Sequence, residues 1–323
     1  MSTSQSSERL PPIIRCMFFV YLKVFWWNCC RVALAACSLY NSWYYFPKQR
    51  KTLHHDALIM HYNAETKELE KKAWSELPDV PLEVKRFVCI SDLHGRFDYF
   101  DIPKTGTSKS VLLVAGDISD KTKLATNLET IEQIKMFDKW LGEMNFEHKI
   151  VIAGNWDECL LKCTNDLNER KQLFSNCTYL ENEVLELFEG RLKLFASPLS
   201  HVKARSDNRA FQHVEDSDSF EEVCSKIPND TDLLLIHGPP YIAKHKHMKV
   251  VRGSHHLKKH LMRVKPVVTV CGHLHMKHGV FHIPSEYKEE HLTVFNASMV
   301  GVLYAPTRCP IVFDLHIERK DLV

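Results

Sequence analysis

Residues 86–95 read RFVCISDLHG, an apolar run over Arg86–Ile90 that stops abruptly at Asp92 and His94, with Gly95 beside them. Four later stretches repeat the theme. VLLVAGD, residues 111–117, ends in Asp117, and IVIAGN, residues 150–155, ends in Asn155. LLLIHG, residues 233–238, presents His237, and VVTVCGHLH, residues 267–275, presents His273 and His275.

Short continuous apolar runs bounded by glycine read as strands buried on both faces. Helix-like patterns lie between them, at Leu124–Trp140 and Leu257–Val264. The alternation predicts an α/β body whose functional loops follow the carboxyl ends of its strands. Residues i and i+2 of an extended chain point the same way, so Asp92 and His94 can share one ion. The donors gathered are carboxylates, an amide and four histidines, with no thiolate. That set suits Mn, Fe, Zn or Mg and differs from a structural cysteine-zinc site. Seven donors exceed the needs of one tetrahedral ion, and two ions sharing a bridging carboxylate account for them.

The chain has 323 residues, 45% of them hydrophobic and 25% charged. This excludes a wholly disordered chain, a collagen-like polymer and a small disulfide scaffold. The formal charge of +2 hides a split: Arg9–His55 holds seven basic residues and no acid, and Leu233–Ser285 holds nine and no acid. Two cationic tracts on an acidic body point to anionic partners. Eleven scattered cysteines fit reduced thiols in a cytoplasmic setting.

Three regions are expected: 1–55 as a hydrophobic basic segment, 56–85 as a connecting segment and 86–323 as the domain that carries the seven donors. Ile13–Phe46 is rich in aromatics, with Arg15, Lys23 and Arg31 as its only charges. Its lysine and its length disfavour a cleaved signal peptide. The tryptophans and tyrosines suit a membrane interface, so the segment is read as an anchor, interfacial or spanning, at an anionic membrane surface with the body on the cytoplasmic side. A buried accessory helix pair is the competing reading.

The order D-x-H, GD, GN-x-D, H and GH-x-H resembles the calcineurin-like metallophosphoesterase superfamily. Further stretches, including FDKWLGEMNFEHKIVIAGN, LLLIHGPP, RVKPVVTVCGHLH and FNAS followed by PIVFDL, resemble its metallophosphoesterase domain-containing family, the fetal-brain type included. The resemblance covers roughly Arg86–Leu315. It implies an αββα sandwich of two mixed sheets flanked by helices. It also implies one metal held by Asp92, His94, Asp117 and His275, and a second held by Asp117, Asn155, His237 and His273. The implied activity is hydrolysis of phosphodiesters such as cyclic nucleotides, with attack by a hydroxide held between two divalent ions, Mn first among them. Asn155 and His237 would stabilise the charge that develops on the non-bridging phosphoryl oxygens. A phosphomonoesterase, a nuclease or a non-catalytic scaffold of the same fold are the alternatives.

One departure stands out. Superfamily enzymes commonly carry histidine where this chain has Trp156, and indole is a donor without useful acidity. Trp156 either packs beside the metals or stacks on a substrate base. Arg205, Lys249 and Arg252 are the candidate contacts to substrate phosphate. The expected partner is a small phosphodiester or nucleotide rather than nucleic acid.

Overall fold

The computed structural model describes residues 56–103, 110–120, 127–202, 210–242, 253–284, 291–301 and 304–323. The N-terminal anchor and the candidate phosphate contacts Arg205, Lys249 and Arg252 lie outside the described residues. No helix among the described residues is long and apolar enough to cross a membrane. Cys89, Cys159, Cys163, Cys177, Cys224, Cys271 and Cys309 are free thiols.

The five apolar runs all form strands. Val84–Ile90, Ser110–Ala115, His148–Ile152 and Thr178–Tyr179 lie parallel in one sheet. Every residue of Val84–Ile90 and of Ser110–Ala115 is buried, as continuous apolar strands require. Ile311–His316 pairs antiparallel with Val84–Ile90 on the other side. Leu58–Asn63 then runs parallel to Ile311–His316, Glu68–Ala73 antiparallel to Leu58–Asn63, and Asp321–Leu322 antiparallel to Ile311–His316. Residues 56–85 therefore do not merely connect: they supply two of the eight strands of this sheet. The sequence conceals them because Glu68–Ala73, ELEKKA, is a half-exposed edge strand whose charges blunt an open edge.

The second sheet has six strands, in the order Gly279–Pro284, His291–Asn296, Val268–Cys271, Leu233–Ile236, Leu192–Ser197 and Glu183–Leu187. Its four inner strands are parallel and its two edges antiparallel. Ser200–His201 and Gln212–His213 form a separate parallel pair.

Alternation along the strands builds the layers. Phe87, Cys89, Val111, Leu113, Ile150 and Ile152 face Leu194, Ala196, Leu233, Leu235, Val268 and Val270 in a core between the sheets. The opposite faces of the larger sheet, with Val88, Ile90, Leu112 and Val114, pack under the helix Asn127–Gly142 through Ile134, Phe137, Trp140 and Leu141. On the far side, Leu234, Ile236 and Cys271 pack under the helices Asp218–Ser225 and His255–Val264. The result is an αββα sandwich of two mixed sheets.

Both helices over the six-stranded sheet start at serine caps. Ser217 Oγ accepts the Phe220 N–H and Ser254 Oγ accepts the Leu257 N–H, each satisfying a donor that the first turn leaves unpaired.

Candidate metal centre

The parallel strands of both sheets direct their carboxyl ends to one place. The larger sheet contributes Asp92, His94, Asp117 and Asn155, and the smaller one His237, His273 and His275. Backbone bonds knit the loops together: the Asp92 N–H donates to Gly116 O, His94 N–H to Asp117 O, and Gly272 N–H to His237 O. Asp92, His94, Asp117 and His273 all adopt positive φ, between 47° and 67°. Left-handed backbone costs a residue with a Cβ about 1–2 kcal/mol, and such strain concentrates where function over-determines the conformation.

Two ligand-type clusters result, sharing one residue. Asp92, His94, Asp117 and His275 offer atoms within 4.8 Å of one another, as do Asp117, His237 and His273. Asn155 joins the second cluster, its Oδ1 lying 3.0 Å from His237 Nε2 and 2.7 Å from His273 Nδ1. The structure thus brings all seven sequence candidates to one site. All are buried except His275, which is partly open to solvent.

The protonation geometry favours lone pairs facing inward. His237 Nδ1 lies 2.7 Å from Ala115 O and donates to it, which leaves Nε2 as an acceptor 3.4 Å from Asp117 Oδ2. The Trp156 N–H holds Asp117 Oδ1 at 2.8 Å, and the His273 N–H donates to the Asp92 carboxylate. His94 Nε2 and His275 Nε2 stand only 3.1 Å apart, and the buried His94 Nδ1 has no hydrogen-bond partner. Acceptors converging on buried carboxylates call for positive charge between them, so the donor set fits divalent cations.

The electrostatics carry the same demand. Burial drives the His94 pKa down to about 3, helped by the neighbouring His275. For Asp92, burial acts upward but His275 and the other imidazoles outweigh it, and the carboxyl sits below its usual range. For His237, burial acts downward, yet Asp117 prevails and lifts the ring to about 9. Asp117 thus draws positive charge to His237 Nε2, a place that either a proton or a divalent cation can fill.

Two glycines make room. A Cβ on Gly154 would fall 2.2 Å from Asp117 Oδ1 and 2.7 Å from His237 Cε1, and one on Gly272 would fall 2.4 Å from Asp92 Oδ2. Gly154→Ala should therefore displace the shared carboxylate and lower metal affinity by about 10–100-fold, as misorienting a ligand does. A metal titration of the folded variant checks this.

Several neighbours were not singled out from the sequence. Asp157, fully buried, accepts the N–H groups of Gly154, Ile118 and Ser119 and so ties the GN loop to the GD loop. Burial and the Asp117 charge raise it to about 6 against those bonds. Its signal was the aspartate two places after Asn155. Tyr304 stacks edge-on against His94, Trp156 and His275 at 4.8, 5.3 and 5.0 Å. Arg96 donates to Tyr304 O, and the His201 ring lies 6.0 Å from that of His273. Nothing local in the sequence marks these three. The Trp156 indole itself packs edge-on against His94, 5.0 Å away.

Comparison with known proteins agrees with this geometry. The calcineurin-like phosphoesterase family model matches residues 85–277. The Homo sapiens metallophosphoesterase domain-containing protein 1 is 30% identical over 262 residues, spanning 73% of this chain and 72% of that protein. A Caenorhabditis elegans UPF0046 protein is 30% identical over 248 residues, spanning 71% and 80% respectively. One crystal structure superposes with a TM-score of 0.51 at 14% identity, over 74% of this chain and 98% of the other, a likeness of fold. With a family match across more than half its length and the family's donor types brought together at one site, this chain belongs to the calcineurin-like phosphoesterase family.

Proposed function

We propose that the chain hydrolyses phosphodiesters, cyclic nucleotides among them, with two divalent cations. Asp92, His94, Asp117 and His275 would hold one, and Asp117, Asn155, His237 and His273 the other. The observation that carries the reading is the pair of clusters joined through Asp117. Bound there, such ions supply Lewis-acid charge to the phosphoryl group and water activation near neutral pH.

The chain's own residues do the rest. Trp156 N–H and the left-handed backbone fix the Asp117 carboxylate so that Oδ2 faces both His94 and His237. His237 is oriented by Ala115 O. The Asn155 amide turns Oδ1 to the histidines, which leaves its NH2 as a donor to phosphoryl oxygens, where charge grows during displacement. Burial and the nearby carboxylates push the Tyr304 phenol well above its ordinary value, so it keeps its proton and stays able to donate a hydrogen bond. Position 156 offers indole in place of imidazole. Substrates whose leaving group needs little protonation, or whose ring is strained, are favoured accordingly.

A scaffold without chemistry has no reason to bury Asp92 at 0% and Asp117 at 1% exposure among four histidines. The test strips the purified protein of metal and reloads it with Mn, Mg, Zn or Fe. Aryl and alkyl diesters, cyclic nucleotides and monoesters are then compared. The stripped protein should be inactive and the reloaded one should prefer diesters. Aryl diesters should exceed alkyl ones by about 10²–10⁴-fold, the usual worth of the missing general acid. Turnover without metal, or a preference for monoesters, would refute the reading.

A further inference from the structure

Away from the seven residues, the outer helices bring together another set of ligand-type side chains. His256 and His260 are separated by one helical turn on His255–Val264 and so share a face. Glu221 comes from Asp218–Ser225, the helix packed alongside. His256 Nε2 and His260 Nε2 lie 2.5 Å and 3.0 Å from the same oxygen, Glu221 Oε2. Their rings stand 5.3 Å apart at 33°.

We propose that Glu221, His256 and His260 form a separate mononuclear site for a divalent transition metal, zinc by donor type. It shares no residue with the centre above. Two imidazoles and a carboxylate, with a further position open to water, make a common zinc-binding set. Exposure fits that count: the two imidazoles are 12% and 9% exposed, and Glu221 is 49% exposed.

The surroundings prepare the ligands. His256 Nδ1–H donates to Asp216 Oδ1, 2.9 Å away, which turns the Nε2 lone pair toward Glu221. A carboxylate behind a histidine is the usual support of a metal-bound imidazole. Glu215 Oε1 accepts both the His256 N–H and Ser254 Oγ–H, fixing the helix start that carries the ligand. With Nε2 an acceptor, the His256–Glu221 contact places two acceptors face to face, a geometry that needs either a proton or a cation between them. Arg263 Nη2 approaches His260 Nδ1 at 3.4 Å while donating to Ile227 O, so a positive charge borders the cluster and moderates its affinity. A bound ion would clamp the Glu221 helix to the His260 helix on the outer face of the six-stranded sheet.

The experiment uses the full chain, stripped by chelator and titrated with Zn²⁺ or Co²⁺ alone. Metal content and thermal stability are read for the wild type, Glu221→Gln, His256→Gln/His260→Gln and Asp117→Asn. The wild type should bind one equivalent more than Glu221→Gln or the double-histidine variant, with turnover of the loaded enzyme unchanged. Asp117→Asn should keep that equivalent, and Zn²⁺ should raise its melting temperature only while Glu221 is intact. Co²⁺ at this site should show the intense visible absorption of a low-coordinate ion, absent from both cluster variants. Should the double-histidine variant fail to fold, Glu221→Gln, at a half-exposed position, decides alone. Equal stoichiometry in the wild type and Glu221→Gln would overturn the site and show that His256 is held by a proton instead. That outcome leaves the two-ion centre standing, since Asp117→Asn reports on it separately.

Discussion

Asp117→Asn should abolish turnover and release metal from both halves of the centre at once. Asp117 is the residue common to the two clusters, and its Oδ2 lies 3.4 Å from His237 Nε2 and 3.9 Å from His94 Nε2. The amide keeps the shape but loses the anion that two cations would share. Misplacing a supporting group costs about 10–100-fold in affinity, so loss of a shared ligand should exceed that range. His94→Ala touches one cluster and should spare the other's affinity. Metal analysis and turnover of the two variants, side by side, check the claim. Two ions retained by Asp117→Asn with near-normal turnover would end the shared-ligand assignment.

The largest effect on stability should come from Asp314→Asn, far from any ligand. Asp314 faces Arg86 across two paired strands, and the guanidinium grips it through two bonds of 2.8 Å. Both residues are buried, and Arg86 also donates to Pro78 O and lies over the Trp74 ring. Removing one partner strands a buried charge, at a cost of about 3–5 kcal/mol, or roughly 6–20 °C in melting temperature for a domain this size. Arg86→Met with Asp314→Leu should recover most of the loss, because an apolar pair leaves no unpaired charge.

The same pair sets part of the pH dependence. Burial alone would raise the Asp314 carboxyl, but Arg86 and then His61 outweigh it and hold the group below its usual range. A carboxyl depressed in the folded state stabilises fully above its unfolded value, near about 4, and that contribution is lost as pH falls through the folded value. Chemical denaturation from neutral to acid pH should show this limb in the wild type and a flatter one in Asp314→Asn.

The fold was legible where one local rule sufficed. Each of the five strands before a ligand announced itself as a mainly apolar run cut short by glycine and a polar group, because burial on both faces favours apolar side chains along the strand. The seven candidate donors followed from those strand ends. The hairpin Leu58–Ala73 escaped because one of its faces is open and its outer strand is charged. Asp157 escaped in a different way. Its carboxylate serves three backbone N–H groups on two loops, a role that only the meeting of those loops creates. Tyr304, which reaches the site from well beyond the last ligand in sequence, was invisible for the same reason. So was the Glu221–His256–His260 set. Its histidines lie one turn apart on one helix, but the carboxylate arrives from another.

The position of Ile311–His316 bears on how the chain is made. This strand lies in the interior of the eight-stranded sheet, yet Asp314 is synthesised 228 residues after its partner Arg86. Until it arrives, Val84–Ile90 shows a bare edge beside the loop that carries Asp92 and His94, and Leu58–Asn63 has no neighbour on its inner side. A growing polypeptide must hold that unfinished edge open on the ribosome, where unpaired strands are prone to stray association. Chaperone demand, and the penalty of a stop codon before Ile311, should accordingly be far greater than the strand's six residues suggest.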